Sequence, residues 1–277
     1  MHYFISGRIT LYFNPKLKQM KNIFFLVLLI GSLSAFVKDL PNYKATYKIN
    51  YITNLANNAK RTEIGYLIIK TNQESVYATK NYFKQDSILK LIQAGKINQY
   101  DVMNDSYPHT SFKNNIQKKY ESQTMVIPTL IMMDYYVYSQ KNTIIWQTYP
   151  DTLTIKNYKC NKATTTFEGR DYVAWYSTDI PISDGPHKFW GLPGLIIKIA
   201  DTENHYTFEL ESFEKFTENF PEFKKPAQVY EVTYENFKQL RKDENENPER
   251  ILESQGLKRT GGSSNMKLIK RNIIERY

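Results

Sequence analysis

With a single cysteine, Cys160, the chain forms no intramolecular disulfide, and its folded state has to rest on packing. Histidine is nearly as scarce. His2, His109, His187 and His205 stand far apart, none at the His-x-His or i,i+4 spacing that holds a metal, so neither a metal site nor a cofactor is expected. No Gly-x-Ser-x-Gly elbow is present. Cys160 and Ser183 are the nucleophile candidates, with His187 as base and Asp184 as its acid, but Cys160 falls mid-strand with Lys159 on the opposite face, which leaves its thiol unactivated. Carboxylates crowd Asp243 to Glu249 on a polar run that reads as solvated surface. The net charge of +9 comes with no nucleic-acid-binding module. These absences lead to the expectation of a protein that is not an enzyme and does not bind nucleic acid.

Long apolar runs are missing too, with one exception. Ile23 to Ile30 follows Met20-Lys21-Asn22 and precedes Gly31-Ser32-Leu33-Ser34-Ala35, the order of a secretory signal peptide over residues 20–35. The run is too short to cross a bilayer, so no transmembrane span is expected after cleavage. Residues 1–19 read as an over-called upstream start. No cysteine follows the run, which speaks against a lipid anchor. Loss of residues 1–35 removes four basic residues and no acidic one, and the net charge falls from +9 to +5. An exported protein follows from this reading, in the periplasm, on the outer-membrane surface or secreted. Its mature chain is expected as one antiparallel β domain over 36–240, then a charged helix and flexible tail over 241–277.

What the chain does contain is alternation. Ala45, Tyr47, Ile49 and Tyr51 share one face of a first strand, Ile64–Ile69 and Ser75–Ala78 read as two more, and Asn54–Arg61 as a polar linker between them. Apolar residues from Tyr82 to Ala94 fit helical spacing, with Gly95 as the stop. Asn98–Glu121 reads as a long polar excursion. Thr124–Tyr138 returns to strand character, broken by Pro128, and Pro150-Asp151 reads as a turn into Leu153–Ile155. Phe216–Pro226 reads as a linker, Val229–Val232 as a last strand, Tyr234–Ser254 as a helix, and 256–277 as a loosely packed tail.

The region from Cys160 to Asp201 differs from the rest, holding two of the three tryptophans. Glu168-Gly169 makes a two-residue hairpin loop that sets Phe167 opposite Arg170, Thr165 opposite Tyr172 and Ala163 opposite Ala174. Ile180-Pro181 and Asp184-Gly185-Pro186 cannot sit in a regular ladder and mark a fixed turn. Trp190-Gly191-Leu192-Pro193-Gly194 turns a corner into Leu195–Ala200, apolar on nearly both faces and therefore a central strand. Asp201–His205 is a polar loop, after which Tyr206, Phe208 and Leu210 alternate with polar residues. Some ten strands with few helices give a mainly β, α+β fold: a curved antiparallel sheet, by analogy a LolA-like half-barrel, with one or two helices.

The words GRDYVAWYSTDIPISDGPHKFWGLPGLI, residues 169–196, closely resemble the signature of the GLPGLI family, exported and largely uncharacterised proteins typical of the Bacteroidota. Gly191 to Ile196 spells that hexapeptide letter for letter. The resemblance implies export and carries no established activity, hence no catalytic residues. Arg170, Trp175, Asp184, His187, Trp190 and Pro193 form the candidate ligand or partner surface. On one reading Arg170, Asp184, Trp175 and Trp190 rim a site for an anionic or aromatic group. On the other, Arg170 pairs with Asp184 to lock hairpin to turn while Trp175 and Trp190 sit in the core. The expected function is binding of a hydrophobic or peptide-like ligand in the sheet's concavity. The alternative is a structural or accessory partner of an outer-membrane complex, with a filled core; a hydrolase is the least favoured.

Overall fold

Alternation governs β1 (Asn42–Asn54), where Ala45, Tyr47, Ile49 and Tyr51 are buried and Lys48 and Asn50 face solvent. The computed structural model describes residues 42–70, 74–80, 94–96, 115–119, 122–128, 135–141, 144–216, 229–247, 250, 272 and 274, all within Pro41–Tyr277. β1 pairs with β2 (Ala59–Lys70) through Asn54↔Ala59, so the expected linker Asn54–Arg61 shrinks to a four-residue turn at 55–58. Asn58 takes a positive φ there, and the side chains of Asn54 and Asn57 accept from the backbone N–H groups of Ala56 and Ala59. The polar residues mistaken for a linker belong to strand ends whose outer face is wet.

β3 (Glu74–Thr79) follows, then β4 (Asn115–Lys119), a strand within the stretch expected to be an excursion. β5 (Ser122–Pro128) and β6 (Tyr135–Lys141) are separate strands, as the Pro128 break suggests. β7 (Gln147–Ile155) runs straight through Pro150-Asp151, which forms an irregularity between Thr148 and Thr152 rather than a turn. Proline is tolerated there because β7 ends the sheet. β8 (Tyr158–Phe167) and β9 (Arg170–Ser177) form the hairpin in the expected register, with Glu168 and Gly169 both at positive φ. β10 (Leu195–Asp201) lies between β9 and β11 (Tyr206–Phe216), and Leu195, Ile196, Ile197 and Ile199 are wholly buried.

The strand order is β12-β6-β5-β4-β3-β2-β1-β11-β10-β9-β8-β7. Neighbours are antiparallel except β12 (Val229–Glu231), which lies parallel to β6, so the sheet is mixed where a purely antiparallel one was expected. The fold is mainly β, an open and curved twelve-stranded sheet with one helix among the described residues. Irregular registers in β1, β7 and β10 bend it further than twist alone. That helix, α1 (Tyr234–Glu246), starts at Thr233, whose hydroxyl accepts from the Asn236 N–H, and is capped at Asn247, within the polar stretch expected to interrupt it; residues 251–254 of the expected helix lie outside the described residues. Its Phe237 is wholly buried and stacks on Tyr138 of β6 at 4.3 Å. The helix expected over Tyr82–Ala94 and the linker within Phe216–Pro226 fall almost wholly outside the described residues. Among the described residues no helix is long and apolar enough to cross a membrane.

Candidate functional site

Thr178 to Gly194, the heart of the 160–201 region, leaves the sheet between β9 and β10 and packs back against its buried face. The backbone closes on itself through short bonds, from Ile182 N–H to Ile180 O at 2.7 Å and from Asp184 N–H to Ile182 O at 2.8 Å. Leu195 N–H returns to Ile180 O and Ile196 N–H to Asp184 O, both at 3.0 Å, which ties the segment to the start of β10. Gly194 is required by contact, because a Cβ there would lie 2.2 Å from the Ser177 carbonyl oxygen.

His187, in the left-handed region at φ 52°, puts its ring edge-on to Tyr77 of β3 at 6.2 Å and stacks it on Phe208 of β11 at 6.1 Å. Phe189 meets Tyr172 of β9 at 4.7 Å and Phe167 of β8 at 6.0 Å. The Tyr47 hydroxyl donates to Ile196 O at 2.7 Å, and burial holds its pKa well above the ordinary tyrosine value. Rings from four strands are thus covered by the chain's own loop, and the sheet's inner face is filled there.

Charge holds the loop in place. Lys118 of β4, fully buried, donates to Asp184 Oδ1 at 2.6 Å, Gly185 O at 2.6 Å and Phe189 O at 3.3 Å. Burial lowers the Lys118 pKa, and the charge of Asp184 and its hydrogen bond work in the opposite direction. Lys188, also fully buried, reaches both Glu168 oxygens at 2.8 Å, and the Tyr234 hydroxyl of α1 donates to the same carboxylate. Arg170 does not pair with Asp184. Its Nη1 lies 2.8 Å from Asp201 Oδ2, and its remaining nitrogens bond Asn272 and Ile274.

The six candidate residues therefore separate. Asp184, His187 and Trp190 lie buried in the loop, and Trp190 O accepts from Trp146 Nε1 at 2.8 Å. Trp175 is half-buried on the other sheet face, between Lys162 and Lys198 in register, and Pro193 is exposed. Arg170 is 3% exposed and forms a second cluster with Asp201. Cys160 is wholly buried, and burial pushes its thiol pKa up.

Asp201, Glu203 and His205 offer ligand atoms within 4.8 Å of one another, a grouping that the histidine spacing alone did not suggest. The Arg170 guanidinium occupies that position, at 3.3 Å from His205 Nδ1 and 3.5 Å from Glu203, so the cluster already has its cation. An open, polar groove of about 580 Å³ lies between the β8–β9 hairpin tip and α1, lined by Phe167, Glu168, Tyr234, Lys238 and Lys242 among others.

Sequence reasoning missed Lys118, Glu168 as the partner of Lys188, and Asn272. The tail expected to pack loosely contributes two buried residues, Asn272 and Ile274, both 5% exposed. For Arg170 a signal existed: Tyr172 is in register with Asp201, so Arg170, two residues earlier on the same face, points toward the loop that Asp201 begins.

The fold and site define a mainly β protein whose inner face is covered by its own loop over β3, β8, β9 and β11. Residues 166–198 match a family model described as a protein of unknown function (Porph_ging). No curated protein matches the chain. Two crystal forms of PNGF-II are similar, both at TM-score 0.47, with 13% and 12% identity, covering 74% of this chain and 34% of that one. The chain thus spans about a third of the PNGF-II chains. A LolA superfamily protein from Nitrosomonas europaea is similar at TM-score 0.26 and 8% identity, over 66% of this chain and 90% of that one.

Proposed function

We propose that this is an exported, non-catalytic protein of the cell envelope, of the GLPGLI kind, that engages a protein partner through its surface. One observation carries the reading: the inner face that a ligand carrier would keep vacant is filled by Thr178–Gly194, locked by Lys118–Asp184 and Lys188–Glu168. Binding then falls to the surface. β7 ends the sheet, no described strand covers its outer edge, and Ile145 and Leu153 are 86% and 47% exposed there. An edge that no described strand covers, with apolar side chains beside it, suits addition of a partner strand. The 20–35 signal peptide and the residue 169–196 signature support export and the family.

Photocrosslinkers placed at Ile145 and at Leu153 test this in cells of the native host. One discrete envelope protein captured at both positions, and not from an exposed position on α1, is the expected result. No capture, or recovery of the protein in the cytosol, overturns it. A hydrophobic ligand is the second reading, favoured by the ring-lined bed of Tyr77, Phe189 and Phe208. It requires the loop to leave, and native mass spectrometry would then show a lipid-sized adduct.

A further inference from the structure

Arg170 uses two of its three guanidinium nitrogens on a peptide. Its Nε donates to Ile274 O at 2.9 Å and its Nη2 to Asn272 Oδ1 at 2.7 Å. Each polar atom of Asn272 has a partner. Its N–H donates to Thr53 O at 3.1 Å, its Nδ2 donates to Ile52 O at 2.7 Å, and its carbonyl accepts from the Tyr206 hydroxyl. Ile274 packs into the core. The walls of this slot are the end of β1 and the first residues of β9 and β11, all on the rigid sheet.

The slot is braced without the peptide. Asp201 fixes Arg170 through Oδ2 and the Tyr206 N–H through Oδ1, at 2.8 and 2.7 Å, and the guanidinium lies 4.9 Å from the Tyr206 ring centre. Such bracing sets the donors in place before a ligand arrives. The slot also discriminates. Arg170 can only donate and Ile52 O can only accept, so the residue between them needs an acceptor and a donor on one short planar group. Aspartate would set an oxygen against Ile52 O, and leucine would leave the buried donors and acceptor unmet.

We propose that this slot is a peptide-recognition site selective for an Asn-x-Ile pattern, filled here by Asn272 and Ile274 of the chain itself and open to the same pattern on another polypeptide when those two residues are withdrawn. It stands on different residues from the β7 edge, and neither reading depends on the other.

The test uses the full chain and a fluorescent peptide of residues 270–277, KRNIIERY, followed by anisotropy. In the unsubstituted chain the built-in segment competes at high effective concentration, so uptake is weak. Asn272→Asp in the full chain weakens that competitor, and the peptide is then expected to bind saturably, at least roughly tenfold tighter than to the unsubstituted chain. A peptide carrying the same Asn272→Asp change is expected to bind no better than to the unsubstituted chain. A folded Asn272→Asp chain that takes up neither peptide, or both equally, overturns the proposal. Should that chain not fold, Ile274→Ala, which keeps the backbone contacts, is read the same way. Failure of both to fold would make the segment part of the core and also overturn it.

Discussion

β1 and the Thr178–Gly194 loop are both buried, yet different forces hold them. Along β1 every inward side chain is apolar or tyrosine, and the backbone is satisfied by ladders to β2 and β11. Burial there gains roughly 25 cal/mol per Å² and is non-directional, needing no particular partner atom. The loop has no continuous ladder, and it buries its own Lys188 along with Lys118 of the β4 bed beneath it, both at 0% exposure. Removing such ions from water costs several kcal/mol each, offset only if carboxylates and carbonyls stand where they do. The ladder is held by area and the loop by charge geometry, so the loop has one allowed position.

The comparison predicts unequal responses to truncation. Asp184→Ala leaves Lys118 buried without its carboxylate and is expected to cost about 3–5 kcal/mol in denaturant unfolding. Lys118→Met combined with Asp184→Leu should recover most of that loss. Ile49→Ala on β1 is expected to cost roughly 2–5 kcal/mol, with no second substitution that restores it. If the double replacement is as unstable as Asp184→Ala alone, the loop is not held by charge. Gly194→Ala comes next, at about 1–3 kcal/mol, because the new Cβ meets backbone rather than a side chain that can move aside.

Alkali probes the junction of the two regions. Burial, then the Asp184 charge, raises the Tyr47 pKa above 10.0, so the native state keeps a proton that the unfolded state loses. Its contribution is complete below pH 10.0 and is lost as pH rises toward the native value. Lys118, lowered from 10.5, acts oppositely, so stability gains from it as pH rises toward 10.5. Tyr47→Phe separates the two. It is expected to cost about 1 kcal/mol at neutral pH through the lost bond to Ile196 O and to flatten the fall in stability above pH 10.0. An unchanged alkaline limb would assign the effect to other tyrosines.

Regular parts of the sheet were legible because their causes are local. Glu168-Gly169 sets the β8–β9 register through its own positive φ angles, and β11 shows its buried face in Tyr206, Phe208 and Leu210. β4 was not legible. Lys118 shares its buried face with Ile116, and what allows a lysine there is Asp184, 66 residues later. The Arg170–Asp184 pairing failed for the same reason: Asp184 is the nearer of the two acids in sequence, and only the β9–β10 register brings the more distant Asp201 to Arg170. Asn272 had no signal at all, since a lone asparagine in a polar tail carries no periodicity. Buried polar partners are chosen by tertiary structure, and local pattern is silent on them.

The smallest stability effect belongs to the outer edge. Leu153→Lys changes a half-exposed residue on an end strand, where nothing described packs against the outer side, and it is expected to move stability by no more than about 0.5 kcal/mol. A lysine on an exposed edge opposes strand addition, because an incoming strand would have to bury or displace its charge. Photocrosslinking from Ile145 in the Leu153→Lys chain should therefore fall sharply while the melting temperature stays within a degree or two of the parent's. The loop variants give the opposite pattern: Asp184→Ala lowers stability, yet in the fraction that remains folded capture at β7 should persist. If Leu153→Lys leaves capture intact, the edge is not the contact surface, and the filled inner face has to be reconsidered as a closed ligand site.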